Sequence, residues 1–192
     1  MKRFLSEREL AQACAHKDHN AQAELYSDYA SGLYALCLRY TGDREDARDI
    51  MHDSMIKAFE NIGSFRYTGD GSLEAWLRRI GVNTAVDCLR RKHRIQEVSL
   101  ERTFEDNLPE PDAEAVETIP AGVLQRMIAS LPAARRTVFN MYCIDGFSHR
   151  EIAKALGISE KGSASVLAKA RAGLKRAICD YLNVECCRFG KT

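Results

Sequence analysis

The sequence predicts an all-α protein: two helical domains joined by an acidic linker, the second carrying a helix-turn-helix. Three observations lead there. Apolar residues recur at i, i+3 and i+4 along most of the chain, and no stretch alternates with period two as a strand would. Charge is unevenly distributed: residues 1–96 carry net +1, residues 97–120 carry −7 and residues 121–192 carry +7, which cancel to the +1 of the whole chain. Residues 148–159 place two helix caps and a turn glycine at helix-turn-helix spacing.

Each element has its own signals. Ser6 with Glu9 reads as a capping box that opens a short helix to about His16. From about Asn20, the residues Leu25, Tyr26, Tyr29, Leu33, Leu36, Cys37 and Tyr40 form an inward stripe, and Gly42 ends it. Asp43 caps a third helix with Ala47, Ile50, Met51, Met55, Ala58, Phe59 and Ile62 on one face, closed by Gly63. A polar, glycine-rich loop follows to Gly71. Ser72 then opens a fourth helix with Leu73, Trp76, Leu77, Ile80, Ala85, Val86 and Leu89 inward. The acidic segment 97–120 holds three of the four prolines and little periodicity, and so reads as a linker. A solvated, self-repelling tether and a nucleic-acid mimic both fit its charge.

The second domain starts after Pro120 with Val123, Leu124, Met127, Ile128 and Leu131 on one helix face. Pro132 starts the next helix, with Val138, Phe139, Met141 and Tyr142, and Gly146 stops it. Ser148 and Glu151 form a capping box, Gly157 supplies the turn, and Ser159 caps the last helix. That helix turns Val166, Leu167, Ala170, Leu174, Ala177, Ile178 and Tyr181 inward, leaving Lys161, Ser163, Ser165, Lys169, Arg171 and Lys175 outward.

Composition bounds the function. At 192 residues and 45% hydrophobic, the chain can build one or two cores and is not disordered. No window approaches 18 consecutive apolar residues, and the first residues break into charge, so neither membrane insertion nor export is expected. Seven cysteines, an odd number without C-x-x-C pairs, fit free thiols in a reducing cytoplasm. The role of the vicinal Cys186 and Cys187 stays open. No P-loop, nucleophile elbow or dinucleotide fingerprint occurs, and Asp49-x-x-His52 is half of a di-metal motif with no second copy. The chain is therefore expected to be no enzyme, with no catalytic residue, metal or cofactor.

Three faces carry the candidate chemistry. The last helix, in a +7 domain, is suited to the major groove: Ser165 and Lys169 lie one turn apart, and both residue types can contact base edges. The fourth helix carries six basic residues against one acidic residue between 76 and 94, preceded by Phe65, Arg66 and Tyr67 in the loop. Aromatics beside a basic stripe suit unstacked single-stranded bases. Trp76 is read first as core, whereas Phe65 and Tyr67 are better platforms. The third helix presents Asp49 and Asp53 one turn apart, a face fitted to a basic protein surface or simply to solvent.

In order, the chain contains Asp46-Ala47-Arg48-Asp49-Ile50-Met51-His52-Asp53, the glycine-rich loop leading to Trp76-Leu77, Asn83-x-x-x-Asp87-x-x-Arg90-Arg91, and the terminal helix-turn-helix. This set resembles the bacterial extracytoplasmic-function sigma factors over about residues 18–94 and 122–182. The resemblance implies a sigma factor that binds core RNA polymerase and directs promoter recognition, DNA melting and transcription initiation. Asp49, His52 and Asp53 match its polymerase-docking positions, with Ile50 beside them. The loop and fourth helix would open the minus-ten element and capture a flipped-out base, through Phe65, Arg66, Trp76, Arg79, Asn83, Asp87, Arg90 and Arg91. Arg150, Lys161, Ser163, Ser165, Lys169 and Arg171 would contact the minus-thirty-five element. The linker would run through the polymerase's RNA exit region, and an anti-sigma protein is expected as a further partner. Two departures stand out: His52 replaces the usual Gln, and Lys161-Gly162 replaces the usual Gly-Thr, with Ala164, Val166 and Ala168 where basic or aromatic residues are common. The competing reading is a helix-turn-helix regulator whose first domain binds an effector.

Overall fold

The computed structural model describes residues 6–92 and 113–189, with side chains described to Leu182. Most of the acidic segment, Arg94 and the side chains of Cys186 and Cys187 lie outside the described residues. The chain divides into two compact units, Met1–Arg91 and Lys92–Thr192. Among the described residues every regular element is helical, as the apolar period requires.

The first unit packs four helices, α1 (Glu7–Ala15), α2 (His19–Thr41), α3 (Arg44–Asn61) and α4 (Ser72–Arg91). Their ends follow from local chemistry. Ser6 Oγ accepts from the Glu9 N–H, Asp18 Oδ1 from the Asn20 and Ala21 N–H groups, and Asp43 Oδ1 from those of Glu45 and Asp46. Gly42 ends α2 at φ 69°, a left-handed conformation that is cheap only without a Cβ. The core gathers Leu25, Leu33, Tyr40, Ile50, Met55, Leu73, Leu77, Val82, Val86 and Leu89, each at most 4% exposed. Gly81 allows α4 to lie close on α2, since a Cβ there would stand 2.5 Å from Leu33 Cδ1. Lys57 Nζ on α3 donates to Thr84 Oγ1 on α4 at 3.2 Å.

Three expectations for this unit change. α3 ends at Asn61, and the 3-10 turn Ile62–Ser64 carries the chain through Gly63. Tyr26 is 39% exposed rather than inward, because it lies off the Leu25–Leu33–Leu36 stripe. Trp76 and Ile80 are only half-buried, at the edge of the core.

The second unit contains α5 (Ala113–Glu117), α6 (Ala121–Ser130), α7 (Ala133–Phe139), a π-helical turn (Asn140–Ile144), α8 (His149–Leu156) and α9 (Glu160–Phe189). α5 falls within the segment read as linker; Ala-Glu-Ala-Val-Glu is rich in good helix formers despite its charge. The helix expected to run from Pro132 to Gly146 changes to a π-turn after Phe139, which leaves Tyr142 37% exposed. Leu131, Ala170 and Leu174 form a buried cluster, with Met127, Ile128 and Phe139 packed on it. Arg136 is 8% exposed, and its Nη1 donates to the carbonyls of Ala129 and Leu131 at 2.6 and 3.4 Å, closing the end of α6.

Candidate functional site

The solvent face of α3 is acidic with an apolar centre. Asp49, His52 and Asp53 are exposed, and Ile56 is 55% exposed beside them. Tyr26 from α2 completes the patch: its ring lies 6.5 Å from that of His52 at 23°, and its hydroxyl stands 3.3 Å from His52 Nε2. Ile50, placed with the docking residues, is instead 2% exposed and belongs to the core, since it is in phase with Ala47, Met51 and Met55. Ile56 was legible at i+7 from Asp49 and i+4 from His52. Tyr26 comes from another helix and gave no such signal. Some of the acidity at the start of α3 is structural, because Asp43, Glu45 and Asp46 lie against its positive N-terminal end.

On α4, Arg79, Asn83, Asp87 and Arg90 are all exposed at spacings of four, four and three, which sets them on one face. The strip is about 16 Å long at the α-helical rise of ~1.5 Å per residue. Arg91 is exposed at its end. The neighbouring Arg78 approaches Glu74 at 3.9 Å, an exposed pair worth little.

The loop before α4 is ordered by its own side chains. The Phe65 and Trp76 rings lie 5.6 Å apart, tilted by 56°. Tyr67 Oη donates to Asp70 Oδ1 at 2.8 Å, and this bond pushes the phenol's pKa upward. Gly69 and Gly71 have φ of 140° and 83°, values that suit glycine. Phe65 and Tyr67 line a recess together with Arg8 and Gln12 of α1. Arg66, expected at such a pocket, is exposed and is not part of its lining. The residues from α1 were missed because nothing local to residues 7–12 points to a loop some 60 positions later.

In the second unit both halves of the Ser148–Glu151 capping box are formed, and Gly157 turns the chain at φ 69°. Ile152, Ala153 and Leu156 of α8 are buried, as are Val166, Leu167 and Ala170 of α9. Arg150, Lys161, Ser165 and Arg171 are exposed, with Ala164 and Ala168 between them; Lys169 is half-buried. Ser163 departs from its expected role: it is fully buried, and its Oγ stands 2.9 Å from His149 Nδ1. It pins α9 to α8 and offers nothing to a base. Arg171 lies with its guanidinium carbon 5.9 Å from the ring centre of Tyr142, whose other neighbour, His149, stacks at 4.5 Å.

Comparison with known proteins gives this geometry its context. Residues 25–95 match sigma-70 region 2, and residues 121–174 match sigma-70 region 4. The ECF RNA polymerase sigma factor SigM of Mycobacterium tuberculosis is 35% identical over 179 residues, 93% of this chain and 87% of that protein. The chain belongs to the ECF RNA polymerase sigma factors. It is also 27% identical to the ECF sigma factor SigW of Bacillus subtilis, over 85% of this chain and 91% of the relative. The sigma factor RpoE of Bartonella quintana, solved in complex with the anti-sigma factor NepR, shares the fold with a TM-score of 0.50 at 20% identity, over 81% of this chain and 95% of that one. This sigma factor directs transcription initiation with core RNA polymerase and promoter DNA as partners. The region 2 match fills the place where the competing reading put an effector-binding domain.

Proposed function

We propose a division of labour among the three faces of this sigma factor. The α3 face, with Asp49, His52, Asp53, Ile56 and Tyr26, docks on core polymerase. The loop and the Arg79–Asn83–Asp87–Arg90 face of α4 open and hold the minus-ten element. Arg150, Lys161, Ser165, Lys169 and Arg171 meet the minus-thirty-five element. The observation that carries this reading is the segregation within one unit: an acidic patch with an exposed Ile on α3, and a basic strip beside fixed aromatics on α4. Like charge repels DNA from the first surface, and aromatic rings beside guanidinium groups favour unstacked bases on the second.

The protein has no catalytic role of its own; melting is driven by trapping bases that the open strand exposes, which offsets an unstacking cost of a few kcal/mol. Polymerase binding adds a second anchor and thereby raises the weak affinity of each DNA-reading face. The acidic linker occupies the polymerase's RNA exit region, and an anti-sigma protein restrains the factor in the cytoplasm. Among the described residues no helix is long and apolar enough to cross a membrane.

The test mixes the purified chain with promoter DNA and nucleotides, with and without core polymerase. Transcripts that require both chain and polymerase are expected. A specific duplex shift by the chain alone, with no binding to polymerase, would overturn the assignment in favour of a stand-alone regulator.

A further inference from the structure

His149 stands where three elements of the second unit meet: it is the first residue of α8, and it touches the π-turn on one side and α9 on the other. Its Nδ1 lies 2.9 Å from Ser163 Oγ, and its ring stacks on that of Tyr142 at 4.5 Å and 22°. Tyr142 in turn lies 5.9 Å from the guanidinium carbon of Arg171, whose Nη2 reaches Cys143 Sγ at 3.9 Å. Ser163 and Arg171 are separated along α9 by about 12 Å at the helical rise of ~1.5 Å per residue. One imidazole therefore bears on the first turn of the reading helix and on a cation two turns later.

The first turn of α9 needs such a hold. Lys161-Gly162-Ser163-Ala164 carries no large apolar side chain, and glycine and serine are poorer helix formers than alanine. Ser159 Oγ accepts from the Gly162 N–H at 2.9 Å and fixes where the helix begins, but not how it is rotated. Burial of Ile152, Leu156, Val166 and Leu167 holds α8 and α9 in the core, and burial of apolar surface is non-directional. The bond to the fully buried Ser163 hydroxyl is directional, and breaking it strands that hydroxyl away from water. Lys161 and Ser165, two positions to either side, are exposed on the opposite face. A rotation of α9 by about 10° moves a side chain at a radius of ~5–6 Å by ~1 Å, about twice what a binding constellation tolerates.

We propose that His149 determines promoter specificity without itself reading a base: it positions α9 through Ser163, and Arg171 through Tyr142. The assignment rests on the reading of the second unit as the minus-thirty-five module, and adds a positioning residue to it. The bond to Ser163 sets how sharply Lys161 and Ser165 discriminate. The stack on Tyr142 sets how strongly Arg171 holds DNA of any sequence.

The experiment uses holoenzyme reconstituted from the full chain and core polymerase, with duplex promoters randomised at the minus-thirty-five and minus-ten elements. Sequencing of retained DNA gives a base preference at each position, and the minus-ten profile serves as internal control. An equal helical signal in circular dichroism confirms that each variant is folded. His149→Phe keeps a ring over Tyr142 and removes Nδ1; it should lower the minus-thirty-five preference at one or two adjacent positions on the order of tenfold. His149→Asn keeps a polar atom for Ser163 and removes the ring. It should preserve the preference but retain all sequences about threefold less, as a loosened phosphate contact does. His149→Phe with Ser163→Ala strands no buried group, so its melting temperature should return to that of wild type while the preference stays flattened. A double variant as discriminating as wild type would overturn the positioning role, since stability alone would then explain the loss. So would a His149→Phe profile identical to wild type, or retention that falls evenly with the profile unchanged. A wild-type holoenzyme that enriches bases at the minus-ten element and none at the minus-thirty-five element would overturn the reading of the second unit itself.

Discussion

Replacing Glu7 by Ala tests whether one carboxylate joins α1 to α4. The side chain accepts from the backbone of Gly71 and Leu73 at the start of α4, and from Tyr29 on α2. The first turn of α4 has N–H groups with no partner inside the helix, and its positive end favours a carboxylate. Removing a capping side chain costs ~0.5–2 kcal/mol, and hydrogen bonds to charged groups are worth ~1.5–3 kcal/mol each. The freed N–H groups can turn to water, so the lower end applies and the loss is about 2 kcal/mol. For a domain of about 90 residues this lowers the melting temperature by roughly 8–16 °C. Trp76 is the single tryptophan and lies in the first unit, so its fluorescence follows unfolding of that unit alone. The Leu73 amide should exchange with solvent on the order of 30-fold faster. Glu7→Gln, which keeps an acceptor oxygen, should lose about half as much. A Glu7→Ala variant with unchanged melting and unchanged Leu73 exchange would refute the clamp.

Further outcomes are expected. Asp49→Arg with Asp53→Arg should weaken binding to core polymerase on the order of 100-fold in a pull-down or titration, with the fold intact because both residues are exposed; Ile50→Ala should instead cost ~2–5 kcal/mol of stability, as a core deletion does. Gly157→Val should cost ~1–2 kcal/mol or more in the second unit, measured by circular dichroism, because φ is 69° while a Cβ meets nothing within 4 Å; Gly157→Asn should cost less. Burial pushes the thiols of Cys14 and Cys37 up to about 11 and about 12, and burial with the charge of Glu7 pushes Tyr29 up to about 12. The folded state thus favours the neutral acids: this stability is complete below pH 9 and is lost between pH 9 and 12, so the urea midpoint should fall across that window. At neutral pH a thiol reagent should label exposed Cys143 quickly and buried Cys37 only on unfolding, read by peptide mass.

Much of the architecture was legible because helices announce themselves locally. The caps at Ser6, Asp43 and Ser148 and the left-handed glycines at 42 and 157 act within four residues of their own position, so sequence alone placed them. The charge of each face was equally plain, since exposed residues on one helix follow its period: Asp49 and Asp53, or Arg79, Asn83, Asp87 and Arg90. The same period should have withdrawn Ile50 from the docking set, because it is in phase with the core residues around it.

The tertiary structure decided what depends on contacts between distant segments. Ser163 looks like any small polar residue at the start of a recognition helix, but the approach of His149 buries it. Tyr26 joins the α3 patch only because α2 packs beside α3. The recess on α1 exists because Glu7 reaches the backbone of residues 64 and 66 positions away. Sequence determined which helices form and which side of each is wet; the packing of those helices decided which wet residues meet.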